Sequence, residues 1–119
     1  MPNQIQFTTK AKMEKFSFGE IVLLKFPYTD GLTYKRRPSL IISDFEDGDI
    51  VVCRITSQVY DSNQDVYIES WEKSGLKLPS IVRVHKIATL DKAMVEVVMG
   101  KIDEQLARKI KSIFANLAE

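Results

Sequence analysis

The chain has 119 residues, of which 45% are hydrophobic and 28% charged, a profile typical of one compact domain. Its 17 Lys and Arg against 16 Asp and Glu give a net charge of +1, which excludes a protein held to nucleic acid by bulk charge, so any anion site must be local. The single cysteine excludes an intrachain disulfide and a multi-cysteine metal site.

The N-terminal segment is more polar than the rest of the chain. It begins with MPNQIQFTTKAK, which lacks the hydrophobic region of a signal peptide. We predict a loosely held arm over residues 1–15, or a gene start placed too early because a second methionine follows at Met13, and a single domain over residues 16–119. No apolar run is long enough to span a membrane, so we expect a cytoplasmic protein with no membrane partner.

Short β-rich segments separated by turn signals follow the arm. The predicted strands are residues 19–26, 38–43, 49–56, 65–70, 80–90 and 93–102. Asp47-Gly48 is a tight-turn signal, which predicts that the second and third strands form a hairpin. Pro38 is expected at the beginning of its strand, where the missing N–H costs little. Residues 71–80 read as an irregular segment with Gly75 and Pro79.

The last segment, DEQLARKIKSIFANLAE, predicts an amphipathic helix with Asp103 as its N-cap. Its apolar residues follow helical spacing at Leu106, Ile110, Ile113, Phe114 and Leu117. Together these elements predict a mainly β fold with appended helices (α+β). We expect a small SH3-like barrel, or a strongly bent antiparallel sheet, with the C-terminal helix packed on it. The absence of crossover helices argues against a parallel α/β fold.

The inventory of reactive groups is short. One histidine without a GxSxG turn argues against a serine hydrolase, and no glycine-rich loop opens a helix to cradle a phosphate. The acidic stretch DFEDGD at 44–49 lacks the ligand pattern of a calcium loop and reads as a hairpin turn, so we expect no metal and no cofactor. Cys53, in the apolar run DIVVCRIT, is expected to point into the core.

Cations and hydroxyls remain as candidates for a site. A hairpin turning at Asp47-Gly48 sets position 37 opposite roughly position 56, so Arg37 and Thr56 are expected at the same end of the hairpin. A guanidinium and a hydroxyl together can hold a phosphate. In the alternative interpretation, Thr56 satisfies a backbone group at the strand end, and Lys35 and Arg36 belong to a solvated loop.

A second candidate group lies on the strand over residues 80–90. Strict alternation predicts that Arg83 and His85 share one face of this strand. Arg83 could instead pair with Glu69 or Glu96 across the sheet, and an isolated histidine is more often structural than catalytic. The residues alone therefore predict a small β-rich domain with a candidate anion site.

Five motifs, taken in order, resemble the PemK/MazF toxins of bacterial toxin–antitoxin modules over about Phe16 to Leu117. They are GEIVLLKFPYTD, KRRPSLIIS, VVCRITSQ, GLKLPSIVRVHKIATLDK and GKIDEQLARKI. The resemblance implies an SH3-like barrel, a homodimer, and a metal-independent endoribonuclease (mRNA interferase) that cuts single-stranded RNA, usually mRNA, within a short sequence. It also implies a cognate antitoxin as protein partner, with DNA contacted only through that antitoxin.

Site roles follow from the resemblance by position. Arg37, immediately before Pro38, matches the family's catalytic arginine, and Thr56 matches its catalytic threonine. Arg83 and His85 fall where some members have an arginine and an acidic residue that take part in acid–base catalysis. Histidine stands here in place of the acid, so the role of His85 is a substitution rather than one carried over from the family, and an imidazole can serve as base or acid near neutral pH. The implied reaction is attack by the RNA 2′-OH, giving a 2′,3′-cyclic phosphate and a 5′-OH. The residues expected to bind RNA are Lys35, Arg36, Tyr28, Ser57 and Gln58.

Two alternatives from other functional classes stay open. The same barrel serves toxins that bind DNA gyrase and cut nothing, so the chain could be an interaction protein that uses its C-terminal helix. A degenerate member of the family would bind RNA without cleaving it.

Overall fold

The structure is a computed structural model that describes residues 14–118. The elements are β1 (Glu20–Pro27), β2 (Tyr34–Asp44), β3 (Asp49–Thr56), β4 (Asp65–Ile68), β5 (Ser80–Asp91), a short 3-10 turn (Lys92–Met94), β6 (Val95–Lys101) and helix α1 (Glu104–Ala115). The polar arm predicted for residues 1–15 lies almost wholly outside the described residues. No helix in residues 14–118 is long and apolar enough to cross a membrane.

The six strands form one antiparallel sheet in the order β4-β5-β3-β2-β1-β6. The predicted mainly β fold with a C-terminal helix is therefore confirmed. The sheet is not closed, because β4 and β6 are its two edges. Residues 14–118 contain one α-helix, whose N-cap is Asp103 as predicted: its carboxylate accepts a hydrogen bond of 2.8 Å from the Leu106 N–H.

One face of the sheet, which we call the helix face, packs against α1. Leu106 and Ile110 of the helix contact a buried cluster that includes Leu40, Cys53 and Val82. The Cys53 thiol donates to the Val84 carbonyl oxygen at 3.1 Å, and burial raises its pKa to about 12. Cys53 is therefore a core residue, as predicted, and its thiol is unreactive at neutral pH.

The other face, which we call the groove face, has its own apolar cluster. The buried members of this cluster are Phe16, Val22, Leu24, Ile41, Ile50 and Val52. Ala88 and Leu90 of β5 pack against it, whereas Val82 and Val84 of the same strand belong to the helix face.

An insertion in β5 explains this change of face. Arg54 of β3 pairs with Arg83, but Cys53 pairs with Ile87, so Val84, His85 and Lys86 have no partner on β3. An odd number of inserted residues moves the following side chains to the opposite face. The strict alternation predicted over residues 80–90 is therefore wrong beyond Val84.

The closed end of the β2–β3 hairpin, at its turn, contains a buried ion pair. The Lys92 ammonium lies 2.7 Å from the Asp44 carboxylate, and their side chains are 2% and 0% exposed. Asp44 also accepts a 2.8 Å hydrogen bond from the Phe16 N–H, and Lys92 donates to the Glu14 carbonyl oxygen. Burial favours the neutral form of Asp44, but the hydrogen bonds from Lys92 and the backbone outweigh it and lower its pKa.

At the open end the two strands of the hairpin separate. β2 begins at Tyr34 rather than at Pro38, so the predicted strand was too short and Pro38 lies inside it. The β2–β3 pairing ends at Ser39 and Arg54, beyond which β2 stays with β1 and β3 stays with β5. Pro38 has no N–H to donate at this point, which suits a strand that is losing one neighbour.

A bulge in β2 sets the register of the open end. Ser43 pairs with Val51 and Ile41 pairs with Val52, which leaves Ile42 without a partner on β3. This extra residue shifts the pairing of the open end by one position relative to the closed end.

Candidate functional site

Two hollows open beside the place where β2 and β3 separate. The first hollow has a volume of about 500 Å³ and is lined by Phe26, Pro27, Tyr28, Thr29, Lys35, Arg37, Pro38, Ser39, Val52, Arg54, Ala88 and Leu90. The second hollow has a volume of about 570 Å³ and is lined by Leu23, Arg37, Pro38, Arg54, Ile55, Thr56, Ser57, Gln58, Leu76, Lys77, Leu78, Ser80 and Met99.

Glycines bring the outer wall of the second hollow close to the sheet. A Cβ atom on Gly75 would collide with the Met99 carbonyl group, and one on Gly100 would collide with the Ser74 carbonyl group. Gly75 also has a φ of +89°, which favours glycine. The irregular segment predicted over residues 71–80 therefore lies directly against β6, next to the part of it that lines the hollow.

Arg37, Pro38 and Arg54 line both hollows and form what we call the arginine wall. Both arginine side chains are exposed. Arg37 makes one hydrogen bond, of 3.3 Å, to the carbonyl oxygen of Arg36, and within residues 14–118 neither arginine has a carboxylate partner. Two positive charges therefore share one wall with no carboxylate of this part of the chain to neutralise them.

Arg37 and Thr56 meet at the second hollow, as the predicted hairpin register requires. The last β2–β3 pair is Ser39 with Arg54, and two residues further along each strand lie Arg37 and Thr56. Because same-face positions recur every second residue, both side chains take the face of Ser39 and Arg54. Both line the second hollow.

The Thr56 hydroxyl is oriented by its own chain. Its oxygen accepts a hydrogen bond of 3.1 Å from the Gln58 N–H, so its hydrogen is directed away from that bond and can be donated elsewhere. Ser57 and Gln58 are exposed and line the same hollow. The Gln58 side-chain oxygen accepts from the Tyr60 hydroxyl at 3.2 Å.

The three consecutive cations at 35–37 do not act together. Lys35 and Arg37 line the first hollow, as does Tyr28. Arg36 points to the opposite side of β2, where it makes two hydrogen bonds to Glu96, at 2.7 and 3.2 Å. These bonds raise the pKa of Arg36 and lower that of Glu96. The structure therefore separates Arg36 from the other predicted RNA-binding residues.

Arg83 is held by Asp65 rather than by either glutamate considered from the sequence. Its guanidinium lies 2.8 Å from the Asp65 carboxylate and 3.6 Å from the centre of the Tyr60 ring. Burial favours the neutral form of Asp65, but hydrogen bonds from Arg83 and Ser62 outweigh it and lower its pKa to about 2. Arg83 lines neither hollow.

His85 lies in the β5 insertion, is exposed, and lines neither hollow. Arg54, in contrast, lies at the centre of the site and was missed as a candidate from the sequence. The available signal was its spacing: Arg54 precedes Thr56 by two residues on a strand, which places both on one face. Within residues 14–118, no group of three His, Cys, Asp or Glu side chains is arranged to hold a metal ion.

Comparison with known proteins assigns the chain to a family. No curated protein matches it. Among solved structures it is similar to an endoribonuclease from a mycobacterial species, with a TM-score of 0.67 and 20% identity over 87% of this chain and 90% of that one. It is also similar to a MazE–MazF structure from Deinococcus radiodurans, with a TM-score of 0.71 and 18% identity over 87% and 96% of the two chains.

A mycobacterial endoribonuclease in complex with its cognate antitoxin gives a TM-score of 0.65 and 22% identity over 82% of this chain and 89% of that one. These structures share the fold described above. The sequence profile of PemK-like, MazF-like toxins of type II toxin–antitoxin systems matches residues 17–117. The chain therefore belongs to the family of PemK-like, MazF-like toxins of type II toxin–antitoxin systems.

Proposed function

We propose that the protein is a metal-independent endoribonuclease that cuts single-stranded RNA at the second hollow. The observation that carries the proposal is that Arg37, which has no carboxylate partner in the described part of the chain, lines the same hollow as the Thr56 hydroxyl. A guanidinium and a hydroxyl donor side by side suit a phosphodiester group. The resemblance of the sequence motifs to the family also implies catalytic roles for both residues.

The reaction needs no water and no cofactor. The RNA 2′-oxygen attacks the adjacent phosphorus and the bond to the 5′-oxygen breaks, which leaves a 2′,3′-cyclic phosphate on one product and a 5′-OH on the other. Negative charge grows on the non-bridging oxygens as the phosphorane forms. In our proposal Arg37 neutralises that charge, and the Thr56 hydroxyl donates a hydrogen bond to one of these oxygens.

The proposal assigns most of the catalysis to charge stabilisation. One proton must leave the 2′-OH and one must reach the 5′-oxygen, but the described residues that line the two hollows include no histidine and no carboxylate. His85, the acid or base suggested by the sequence, lies outside both hollows. The proposed reaction therefore does not depend on His85, and the sequence-based prediction that His85 transfers a proton is tested by the pH–rate profile of His85→Ala.

The proposed partners are an antitoxin protein, single-stranded mRNA in the cytoplasm, and a second copy of the chain. Support for the antitoxin comes from the similar mycobacterial endoribonuclease, whose structure includes its cognate antitoxin, and from the MazE–MazF structure of D. radiodurans. Any contact with DNA would be made through the antitoxin.

The test is cleavage of a mixed-sequence single-stranded RNA in EDTA, with the product ends analysed. We expect cyclic phosphate and 5′-OH ends, and no cleavage at a position with a 2′-deoxy nucleotide. Arg37→Ala should lower the cleavage rate about a hundredfold or more, because it removes a charge that opposes the phosphorane. Arg108→Ala is the matched control, since Arg108 is an exposed helix residue paired with Glu104.

RNA that stays intact at high protein concentration would overturn the proposal. If the protein binds the RNA but leaves it uncut, it belongs to the degenerate RNA-binding class. Equal rates for the wild-type protein and Arg37→Ala would show that any observed cleavage comes from another site or from a contaminant.

A further inference from the structure

We propose that the first hollow is a nucleoside subsite beside the scissile phosphate, and that Arg54 is a second arginine contacting this phosphate. The inference rests on the proposed function and extends it from the chemistry of the cut to the way the RNA is held. It concerns one residue and one cavity to which the sequence analysis assigned no role.

The five arginines of the chain differ in whether a carboxylate neutralises them. Arg36, Arg83 and Arg108 each lie within 4.0 Å of a carboxylate, at 2.7, 2.8 and 3.4 Å. Arg37 and Arg54 have no such partner within residues 14–118, although they line the same two hollows. Like charges on one wall repel each other, and an anion between them relieves the repulsion.

Arg54 lies one same-face step from the proposed catalytic pair, Arg37 and Thr56. Arg54 precedes Thr56 by one same-face step on β3. Its partner across the ladder is Ser39, which follows Arg37 by one same-face step on β2. A phosphate held between Arg37 and Thr56 therefore has Arg54 as its next neighbour on the groove face. Two arginines that approach from two strands can contact different oxygens of one phosphate.

The first hollow has one apolar side and one polar side. Its apolar side is made by Phe26, Val52, Ala88 and Leu90, which belong to or pack on the groove-face cluster. Its polar side is made by Lys35, Tyr28, Thr29 and Ser39 together with the arginine wall. Its volume falls within the range of about 300–1,000 Å³ that is typical of small-ligand sites.

A nucleoside of single-stranded RNA matches this lining. An unpaired base has apolar faces that can lie on aliphatic and aromatic side chains, and a polar edge for hydroxyl groups. The phosphate attached to it would lie at the arginine wall, and Lys35 is available for the next phosphate along the chain. RNA would thus cross the wall with one nucleoside in each hollow.

The experiment measures binding of a short RNA that carries a 2′-deoxy nucleotide at the cut site, so that it is not cleaved. Arg54→Ala should weaken binding about tenfold to a hundredfold, because a hydrogen-bonded charge is lost. The dependence of log K on log salt should become shallower by about 0.7, the value for one phosphate contact on a single strand. Arg108→Ala removes the same charge from a distant surface and should change neither quantity.

The hollow itself is tested by abasic substitution on each side of the cut. On one side, loss of the base should weaken binding to the wild-type protein. In the Ala88→Phe variant a phenyl ring fills the first hollow. The abasic RNA should therefore bind this variant as tightly as the intact RNA does. Ala115→Phe on the exposed side of α1 is the control. The wild-type measurement alone keeps the test valid if Ala88→Phe does not fold.

The outcomes separate the two proposals. If wild-type protein cuts RNA but Arg54→Ala binds and responds to salt like Arg108→Ala, the subsite is wrong and the proposed function stands. An abasic substitution without effect on either side of the cut also overturns the subsite. If the wild-type protein neither cuts RNA nor binds the uncleavable analogue, both proposals fall.

Discussion

The two ends of the β2–β3 hairpin differ in the burial and pairing of their charged side chains. At the closed end, Asp44 and Lys92 are almost fully buried and satisfy each other at 2.7 Å. At the open end, Arg37 and Arg54 are exposed and have no carboxylate partner in residues 14–118. A buried charge without a partner would destabilise the fold. An exposed cation is hydrated instead and can bind an anion from solution. The charges of Asp44 and Lys92 therefore stabilise the fold, whereas those of Arg37 and Arg54 are available to a ligand.

Removal of one partner at the closed end should give the largest loss of stability. Lys92→Met leaves the Asp44 carboxylate buried without its ammonium, which should lower the free energy of unfolding by about 3–5 kcal/mol in urea denaturation. The control is Lys15→Met, because Lys15 and its partner Glu46 are more than half exposed and lie 3.6 Å apart. That change should cost less than about 1 kcal/mol. Equal effects of the two variants would mean that the buried pair contributes little to stability.

At the open end, substitution should change the cleavage rate with little change in the free energy of unfolding. Thr56→Val keeps the shape of the side chain but removes the hydroxyl that we propose donates to the phosphate. Cleavage should slow about 10- to 100-fold, with a change in unfolding free energy below about 1 kcal/mol. Thr56→Ser, which keeps the hydroxyl, should retain most of the rate. A Thr56→Val enzyme with full activity would exclude the threonine from the reaction.

The Arg83–Asp65 ion pair lies near the open end but is satisfied, like the pair at the closed end. We therefore expect it to contribute to the stability of the fold. The pKa of Asp65 falls from its ordinary value of 3.8 to about 2 in the folded protein. A lowered carboxyl pKa contributes stability that is present above about pH 4 and is lost as the pH falls towards 2. The contribution should be roughly 2 kcal/mol, seen as a smaller loss of stability on acidification in Asp65→Asn. Parallel acid-unfolding curves for the two proteins would contradict it.

The smallest effect is expected at His85, an exposed residue that lines neither hollow. His85→Ala should keep the cleavage rate within about threefold and leave the pH–rate profile between pH 5 and 8 unchanged. Loss of one limb of that profile in the variant would show instead that His85 transfers a proton, as the family resemblance suggests.

The sequence predicted the parts of the fold that depend on local signals. The Asp47-Gly48 turn defines the middle of the hairpin, which predicted that Arg37 lies opposite roughly position 56. The bulge at Ile42 was not predicted, and it supplies the one-residue shift that brings Arg37 level with Thr56 rather than Ser57. The β5 insertion was not predictable in this way, because the alternation of residues 80–90 continues through it. The insertion depends on a non-local contact: the Val84 N–H donates to the Gln64 carbonyl oxygen at 2.9 Å, at a point where β5 has lost its partner on β3.

The importance of Arg54 was also hidden, for a different reason. A charged residue in an alternating strand usually marks the solvent face, and nothing local distinguishes a solvated arginine from one that meets a ligand. The distinction depends on whether a carboxylate comes near in the folded chain. Glu96 reaches Arg36 from a strand about 60 residues further along the sequence, and no spacing rule predicts that pairing.

The bulge at Ile42 determines which residue of β3 lies level with Arg37. If pairing continued regularly from Ser43 and Val51, Arg37 would stand opposite Ser57 and Pro38 opposite Thr56. Insertion or deletion of one residue between the two ends of the hairpin can therefore exchange the hydroxyl that faces the arginine, while the amino acids of the site stay the same.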